Sequence, residues 1–258
     1  MVKTIIADEN TRVTKELLDS EKPSRIVNSC RGRDHIDYDE CAKRGIPVVE
    51  TDYAPEDSVA DHAIALLLKL VVLNPKEHNE DGEELASKKA LIIGAGRIGK
   101  AIHARLTSFN TEAYYYDPYS EASDFVTLHE GLEWCDYAFL ACPLTKENKG
   151  MIAYQELLRL RGKVLINIAR PELVDYYYLD LFADPLNREN REDPSKLVRV
   201  GWDFHDELNT ANWPAWESLL HASARGNAIM TKHNAWRTRE AKERRERAVR
   251  EAKKVLKK

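Results

Sequence analysis

The chain has 258 residues, 43% of them hydrophobic, which suffices for one large domain or two small ones with a buried core. Its formal net charge of −4 excludes a general electrostatic attraction to nucleic acid or to an anionic membrane. No apolar run reaches the length that spans a bilayer, and the N-terminus lacks the layout of a secretory signal. The cysteines form no C-x-x-C pair, so we expect free thiols in a cytoplasmic protein without a metal site.

The first 55 residues alternate between short apolar runs and segments with helical spacing. We predict strands at 4–7, 25–28 and 47–50 and helices at 13–19 and 37–44. Gly45 followed by Pro47 marks the end of a helix and the start of a strand. This alternation predicts a small parallel sheet.

Residues 56–236 repeat the alternation on a larger scale. A helix at 58–73 is apolar nearly all round, so we expect it to be buried. A second helix is predicted at 98–108. Strands are predicted at 90–93, 113–116, 136–141, 163–168, 198–203 and 228–231. Such a series predicts a doubly wound parallel sheet.

Residues 237–258 are highly charged and carry a thin apolar stripe at helical spacing. Because aromatic residues are not interleaved with the basic ones, we favour a helix packed on the first 55 residues over a nucleic-acid or membrane contact.

A glycine-rich segment lies between a predicted strand and a predicted helix. Residues 94–99 (GAGRIG) match the pattern G-x-G-x-x-G. The first glycine permits a tight turn, the second lets the backbone approach a pyrophosphate, and the third allows close helix–strand packing. We therefore expect a dinucleotide site in which the pyrophosphate meets the helix N-terminus. The residues assigned to it are Gly94, Gly96, Arg97, Ile98 and Gly99.

Asp117 ends the next predicted strand, eighteen positions after Gly99. An acidic side chain there accepts hydrogen bonds from the adenosine ribose and repels a 2′-phosphate, so we predict NAD as the cofactor instead of NADP. The alternative is a glycine turn followed by an ordinary surface aspartate.

Several segments, which follow one another in the order expected for that family, resemble the D-isomer-specific 2-hydroxyacid dehydrogenases. They are 31–37 (RGRDHID), 44–48 (RGIPV), 58–62 (SVADH), 94–99 (GAGRIG), 142–145 (CPLT), 166–170 (INIAR) and 231–235 (TKHNA). The resemblance implies a Rossmann-type NAD-binding domain at 56–236, inserted into a flavodoxin-like α/β substrate domain at 1–55 and 237–258. It also implies a homodimer.

The resemblance implies catalytic roles for three residues. Arg170 would bind the substrate carboxylate and carbonyl, and His233 would be the acid–base. Glu207 would orient and charge the histidine, with Asp206 as the alternative. The chemistry favours these residue types, because a planar guanidinium fits a carboxylate and an imidazole titrates near neutrality.

Binding roles are implied as well. Arg31, Gly32 and Arg33 would hold the substrate carboxylate, and Asp203 would contact the nicotinamide carboxamide. The remaining cofactor-binding residues would be Cys142, Pro143 and Ala169, with Cys142 acting through its backbone. We interpret His35 and His62 as structural residues of packed segments.

The chain departs from the family pattern in several ways. Its opening matches a later part of the family, so the substrate domain is expected to be truncated. Pro171 stands where a glycine is usual, and Glu207 lies one position early. Two functions therefore stay open: an NAD-dependent enzyme that interconverts 2-keto and D-2-hydroxy acids, or a non-catalytic NAD-binding regulator or scaffold, which includes an engineered shortened form.

Overall fold

A computed structural model describes residues 3–8, 10–30, 32–73, 81–125, 127–203 and 216–255. The chain divides into two compact units, which we call the terminal unit (Met1–Pro55 with Arg237–Lys258) and the central unit (Glu56–Trp236). No helix in the described ranges has both the length and the apolar character needed to cross a bilayer.

The terminal unit is a three-stranded parallel sheet with helices. Its strands are β1 (Thr4–Ala7), β2 (Arg25–Asn28) and β3 (Val48–Glu50), in the order β1-β2-β3. Its helices are α1 (Lys15–Glu21), α2 (Tyr38–Lys43) and the C-terminal α10 (Arg239–Val255). The guanidinium of Arg244 in α10 donates a hydrogen bond of 2.7 Å to the carbonyl of Ala54. The predicted strands and the predicted packing of the C-terminal helix are confirmed.

The central unit holds a six-stranded sheet in which every pair of neighbours is parallel. Its strands are β4 (Lys89–Ile93), β5 (Glu112–Tyr116), β6 (Tyr137–Leu140), β7 (Val164–Asn167), β8 (Arg199–Trp202) and β9 (Ala228–Met230). Its helices are α3 (Glu56–Val71), α4 (Arg97–Ser108), α5 (Leu128–Trp134), α6 (Tyr154–Arg159), α7 (Tyr176–Ala183), α8 (Arg188–Glu192) and α9 (Trp216–Ala224). Short 3₁₀ helices cover Pro171–Leu173 and Pro194–Lys196.

Both faces of this sheet are covered, which explains why its central strands are apolar without interruption. Successive side chains of a strand point to opposite faces. In β4, Ile92 packs in one cluster with Leu67 of α3, whereas Leu91 packs in the other with Leu132 of α5. The predicted doubly wound sheet and the predicted burial of the helix that begins near residue 58 are confirmed.

The strand order β5-β4-β6-β7-β8-β9 reverses direction between β4 and β6. At such a reversal, the connections leave neighbouring strands toward opposite faces, and a crevice opens at the carboxyl ends of the strands. The segments that follow β4 and β6 therefore border the crevice in which α/β sheets bind ligands.

Candidate functional site

The glycine loop (residues 94–99) connects β4 to α4 and is closely packed at its first and last glycines. Gly94 has φ +110°, and a Cβ there would lie 2.9 Å from the backbone of Ala141, just beyond β6. A Cβ on Gly99 would lie 2.0 Å from the carbonyl oxygen of Gly94. By contrast, a Cβ on Gly96 would meet nothing within 4 Å. The first and third glycines thus permit the turn and the helix–strand contact, while the surface beside Gly96 stays open.

The start of α4 has the chemistry of an anion site. Gly96 is its N-cap and supplies no side-chain acceptor for the N–H groups of the first turn, which lie at the positive end of the helix. Ile98 is half-buried and packs against the core, so only its backbone is suited to a phosphate. The Arg97 guanidinium forms an ion pair with Glu56, the first residue of α3. A dinucleotide pyrophosphate fits this open, positive loop.

Asp117 follows β5 and is bonded to the glycine loop. Its Oδ2 accepts the N–H of Ala95 at 2.9 Å, and its Oδ1 accepts the N–H of Tyr119 at 3.0 Å. Each carboxylate oxygen has a second lone pair, so the group can still accept hydrogen bonds from ribose hydroxyls. The carboxylate also places a negative charge beside the loop.

The segment after β6 is ordered by an asparagine that the sequence analysis missed. Asn148 accepts the N–H of Thr145 at 2.7 Å and donates to the carbonyl of Pro143 at 2.8 Å. Burial raises the pKa of the Cys142 thiol to about 11, so the thiol is neutral near pH 7. A neutral thiol agrees with the expectation that Cys142 acts through its backbone.

Asn167, the last residue of β7, orders the segment that carries Arg170. Its side chain accepts the N–H of Ala169 at 3.0 Å and donates to the carbonyl of Arg170 at 2.8 Å. Pro171 is buried and occupies the first position of a 3₁₀ helix, where a backbone N–H is not required. The departure from glycine at this position is therefore compatible with the local fold.

Asp203 follows β8, is only 1% exposed, and binds the loop after β9. Its Oδ1 accepts the Thr231 hydroxyl at 2.5 Å and the Asn234 N–H at 3.1 Å, and its Oδ2 accepts the Ala235 N–H at 2.9 Å. Burial by itself would raise the pKa of Asp203, but hydrogen bonds from His62 and Thr231 hold the pKa below its ordinary value. The carboxylate therefore stays ionised, and its predicted contact with nicotinamide stays a prediction.

His233 lies in the middle of this loop. It is half-buried and has φ +47°, in the left-handed region that favours glycine and asparagine. The loop around it is held by the contacts to Asp203, which come from residues on both sides of the histidine.

The predicted carboxylate loop belongs to the terminal unit. The buried Asn28 donates to the carbonyl of Gly32 at 3.1 Å and accepts the N–H of Cys30 at 3.1 Å. The guanidinium of Arg33 lies 4.4 Å from the centre of the Tyr38 ring and 3.5 Å from a carboxylate oxygen of Glu50. Asn28 thus orders the loop, a role that the sequence analysis also missed.

The structure brings the predicted residues of the central unit to one edge of its sheet. Because all six strands are parallel, the segments after their carboxyl ends share that edge, with Asp117 at one side and His233 at the other. The strands from β5 to β9 span five spacings of about 4.8 Å, or roughly 24 Å. Arg31, Asp206 and Glu207 lie outside the described residues. Within the described ranges, no group of three His, Cys, Asp or Glu side chains could hold a metal ion.

Comparisons with known proteins agree with this geometry. A family model described as "D-isomer specific 2-hydroxyacid dehydrogenase, NAD binding domain" matches residues 67–180. A glyoxylate reductase of Pyrococcus furiosus is 32% identical over 201 residues, which are 67% of this chain and 60% of that protein. A D-3-phosphoglycerate dehydrogenase of Dictyostelium discoideum is 28% identical over 251 residues, 90% of this chain and 59% of that protein. The chain thus spans about 60% of the length of such curated relatives.

A solved structure is similar over nearly the whole chain. It is the D-lactate dehydrogenase of Aquifex aeolicus in complex with NAD and lactic acid, with 29% identity and a TM-score of 0.82. The match covers 99% of this chain and 83% of that one. The family model matched by residues 67–180 is that of an NAD-binding domain, so NAD is the cofactor of the central unit. From the ordered motifs, the matched model and this structural likeness, we conclude that the chain contains the NAD-binding domain of the D-isomer-specific 2-hydroxyacid dehydrogenase family.

Proposed function

We propose that this chain is an NAD-dependent oxidoreductase that interconverts a 2-keto acid and a D-2-hydroxy acid. The observation that carries the proposal is the sheet edge of the central unit, where the glycine loop, Arg170 and the loop of His233 follow the parallel strands β4, β7 and β9. The relatives described above are named as reductases or dehydrogenases, which favours an enzyme over a non-catalytic regulator.

Each residue has a chemical role in this proposal. Bound NAD supplies the hydride acceptor, and its reduced form the donor. Arg170 binds the substrate carboxylate through its planar guanidinium and orients the neighbouring carbonyl. His233 donates a proton to the carbonyl oxygen in reduction and removes it in oxidation. Asp117 would hold the adenosine ribose of NAD, and Asp203 would hold the nicotinamide, which would supply or accept the hydride.

The substrate is a small 2-keto acid in this proposal, supported by the names of the glyoxylate reductase and the D-lactate dehydrogenase. We also propose that the protein is a homodimer and acts in the cytoplasm. The family resemblance supports the dimer, and the four cysteines, all of them described and not joined in disulfides, suit a reducing compartment. Analytical ultracentrifugation of the full chain tests the oligomeric state.

A panel of 2-keto acids that includes glyoxylate and pyruvate tests the activity, with NADH consumption followed by absorbance. Because reduction requires the protonated imidazole, its rate should fall as pH rises, while oxidation of the hydroxy acid should show the opposite trend. His233→Asn should abolish both directions and leave NADH binding intact, since asparagine tolerates the left-handed backbone of this position.

Further variants test the role of Arg170 and identify the carboxylate that pairs with His233. Arg170→Ala should lose most of kcat/KM while NADH binding is retained. Glu207→Gln should move the decline of the reductive rate to lower pH, and Asp206→Asn should leave it in place. If the wild type binds NADH but reduces no keto acid at any pH, the enzyme proposal is wrong and a non-catalytic NAD-binding protein is the better description.

A further inference from the structure

Two side chains of α3 reach the loop that carries His233. Ser58 and His62 lie one turn apart, so they share a face of the helix. The Ser58 hydroxyl donates a hydrogen bond to the carbonyl of Ala235. The Nε2 atom of His62 lies 2.9 Å from the hydroxyl of Thr231 and 3.5 Å from Oδ1 of Asp203. The loop is thus tied to α3 on both sides of His233.

The direction of the hydrogen bonds follows from the number of protons. The Thr231 hydroxyl has one proton, which it donates to Asp203 Oδ1 at 2.5 Å, because an ionised carboxylate can only accept. The hydroxyl must then accept at its contact with Nε2 of His62, so this nitrogen carries a proton and donates it. The result is a directed chain from His62 through Thr231 to Asp203.

This series of hydrogen bonds stabilises the backbone conformation of His233. A non-glycine residue in the left-handed region is strained, and such a conformation persists only where the surroundings enforce it. Here Thr231 is fixed two positions before His233, and the N–H groups of Asn234 and Ala235 are fixed just after it. The loop therefore cannot relax without breaking contacts to Asp203, Ser58 or His62.

We propose that His62, supported by Ser58, is a positioning residue that aims the imidazole of His233 through Thr231 and Asp203. The inference deepens the proposed function and rests on it, since His233 is the acid–base of that proposal. A displacement of a catalytic group by 1 Å can lower a rate on the order of 100-fold. The loss should therefore appear in kcat and leave cofactor affinity nearly unchanged.

The experiment compares His62→Leu, which removes the donor, with His62→Gln, which keeps an N–H donor on a side chain of similar reach. With NADH and the keto acid reduced best by the wild type, His62→Leu should lower kcat by about 10- to 100-fold. The Kd of NADH should stay within about twofold, because the glycine loop is untouched. His62→Gln and Thr231→Ser should recover most of kcat, and Thr231→Val should behave like His62→Leu. His129→Leu is the matched control, because His129 pairs with Glu156 on α6 and should leave kcat unchanged.

A second readout does not depend on catalysis. The amide of Ala235 is buried and bonded to Asp203, so its hydrogen exchange should accelerate at least tenfold in His62→Leu and stay near the wild-type rate in His62→Gln. The inference is overturned if kcat and this exchange rate are unaffected by His62→Leu, or if His62→Gln is as impaired as His62→Leu. If the wild type reduces no keto acid, the proposed function fails, and exchange of the Ala235 amide alone decides whether His62 holds the loop.

Discussion

The three glycines of the loop between β4 and α4 differ in the space available for an added methyl group. At Gly99 the nearest neighbour is the carbonyl oxygen of Gly94, which would lie 2.0 Å from the carbon of an added methyl group, and backbone atoms cannot rotate away. Gly99→Ala should therefore displace α4 and lower the free energy of unfolding by about 3 kcal/mol or more. Gly96→Ala should leave this free energy nearly unchanged but weaken NADH binding, because the methyl group would stand where the pyrophosphate approaches. Urea unfolding and fluorescence titration with NADH measure both quantities, and equal stability losses in the two variants would contradict the assignment.

The carboxylate of Asp117 should determine which of the two nicotinamide cofactors binds more tightly. Its carboxylate is bonded to the glycine loop, so a 2′-phosphate on the ribose would meet a negative charge. We expect the wild type to bind NADH at least tenfold more tightly than NADPH, which corresponds to about 1.4 kcal/mol. Asp117→Asn should narrow this ratio, because the amide oxygen can still accept the Ala95 N–H while the charge is lost. Calorimetric titration of both cofactors is the measurement, and equal wild-type affinities would mean that Asp117 does not face the ribose.

Secondary-structure elements were predictable from sequence where a signal runs over enough residues. The strands of the central sheet are mainly apolar, and Val164–Asn167 lies within the predicted 163–168. The helices Leu128–Trp134, Tyr154–Arg159 and Tyr176–Ala183 were not predicted, although they are about as long as α1 and α2, which were. A sequence signal did exist for the first of them, since Thr127 and Glu130 form a capping box.

Site residues were predictable where their role is local. The glycine loop and Asp117 follow from a motif and its spacing. Asn148 was missed although its contacts, to Thr145 and Pro143, are local. Thr231 was missed because its role depends on contacts that only the folded chain creates. Thr231, for example, bonds to Asp203, which is 28 positions away in the sequence. His62 looked like a packed helix residue, and its contact with Thr231 spans 169 positions.

The 3₁₀ helix after Arg170 offers a test of Pro171. Proline at its first position restricts the unfolded chain without removing a needed N–H group. Pro171→Gly should therefore lower the free energy of unfolding by about 1 kcal/mol, and Pro171→Ala by less. Denaturant unfolding of the three proteins gives the values. An increase in stability on replacement by glycine would show that the proline is strained.

The hydrogen bonds that join Asp203, after β8, to the loop after β9 predict that the free energy of unfolding falls at acidic pH. The pKa of Asp203 is lower in the folded chain than its ordinary value, so its stabilising effect is complete above that ordinary value and is lost as pH falls through the folded pKa. Asp203→Asn should be destabilised at pH 7, and its difference from the wild type should shrink as pH falls below about 4. Urea unfolding across this range measures the difference. Glu121→Gln, at an exposed site, is the control that should follow the wild-type curve.

On the scale of the whole molecule, the two units differ in how their chain is connected. The terminal unit combines residues from both ends, and its C-terminal helix α10 is bonded to residues of the first 55. The central unit is continuous in sequence, and its two hydrophobic clusters are built from residues between Val59 and Ala235. A continuous segment with its own core can fold without the rest of the chain.

We therefore expect the isolated segment 56–236 to fold cooperatively and to bind NADH, because it contains the glycine loop and Asp117. The segment 1–55 alone should not fold, because it lacks α10 and is too small to bury an adequate core. Circular dichroism during urea titration tests folding, and NADH fluorescence tests binding. A cooperative transition with lost NADH affinity would mean that the cofactor also needs the terminal unit, and a gradual transition would mean that the central unit is not an independent domain.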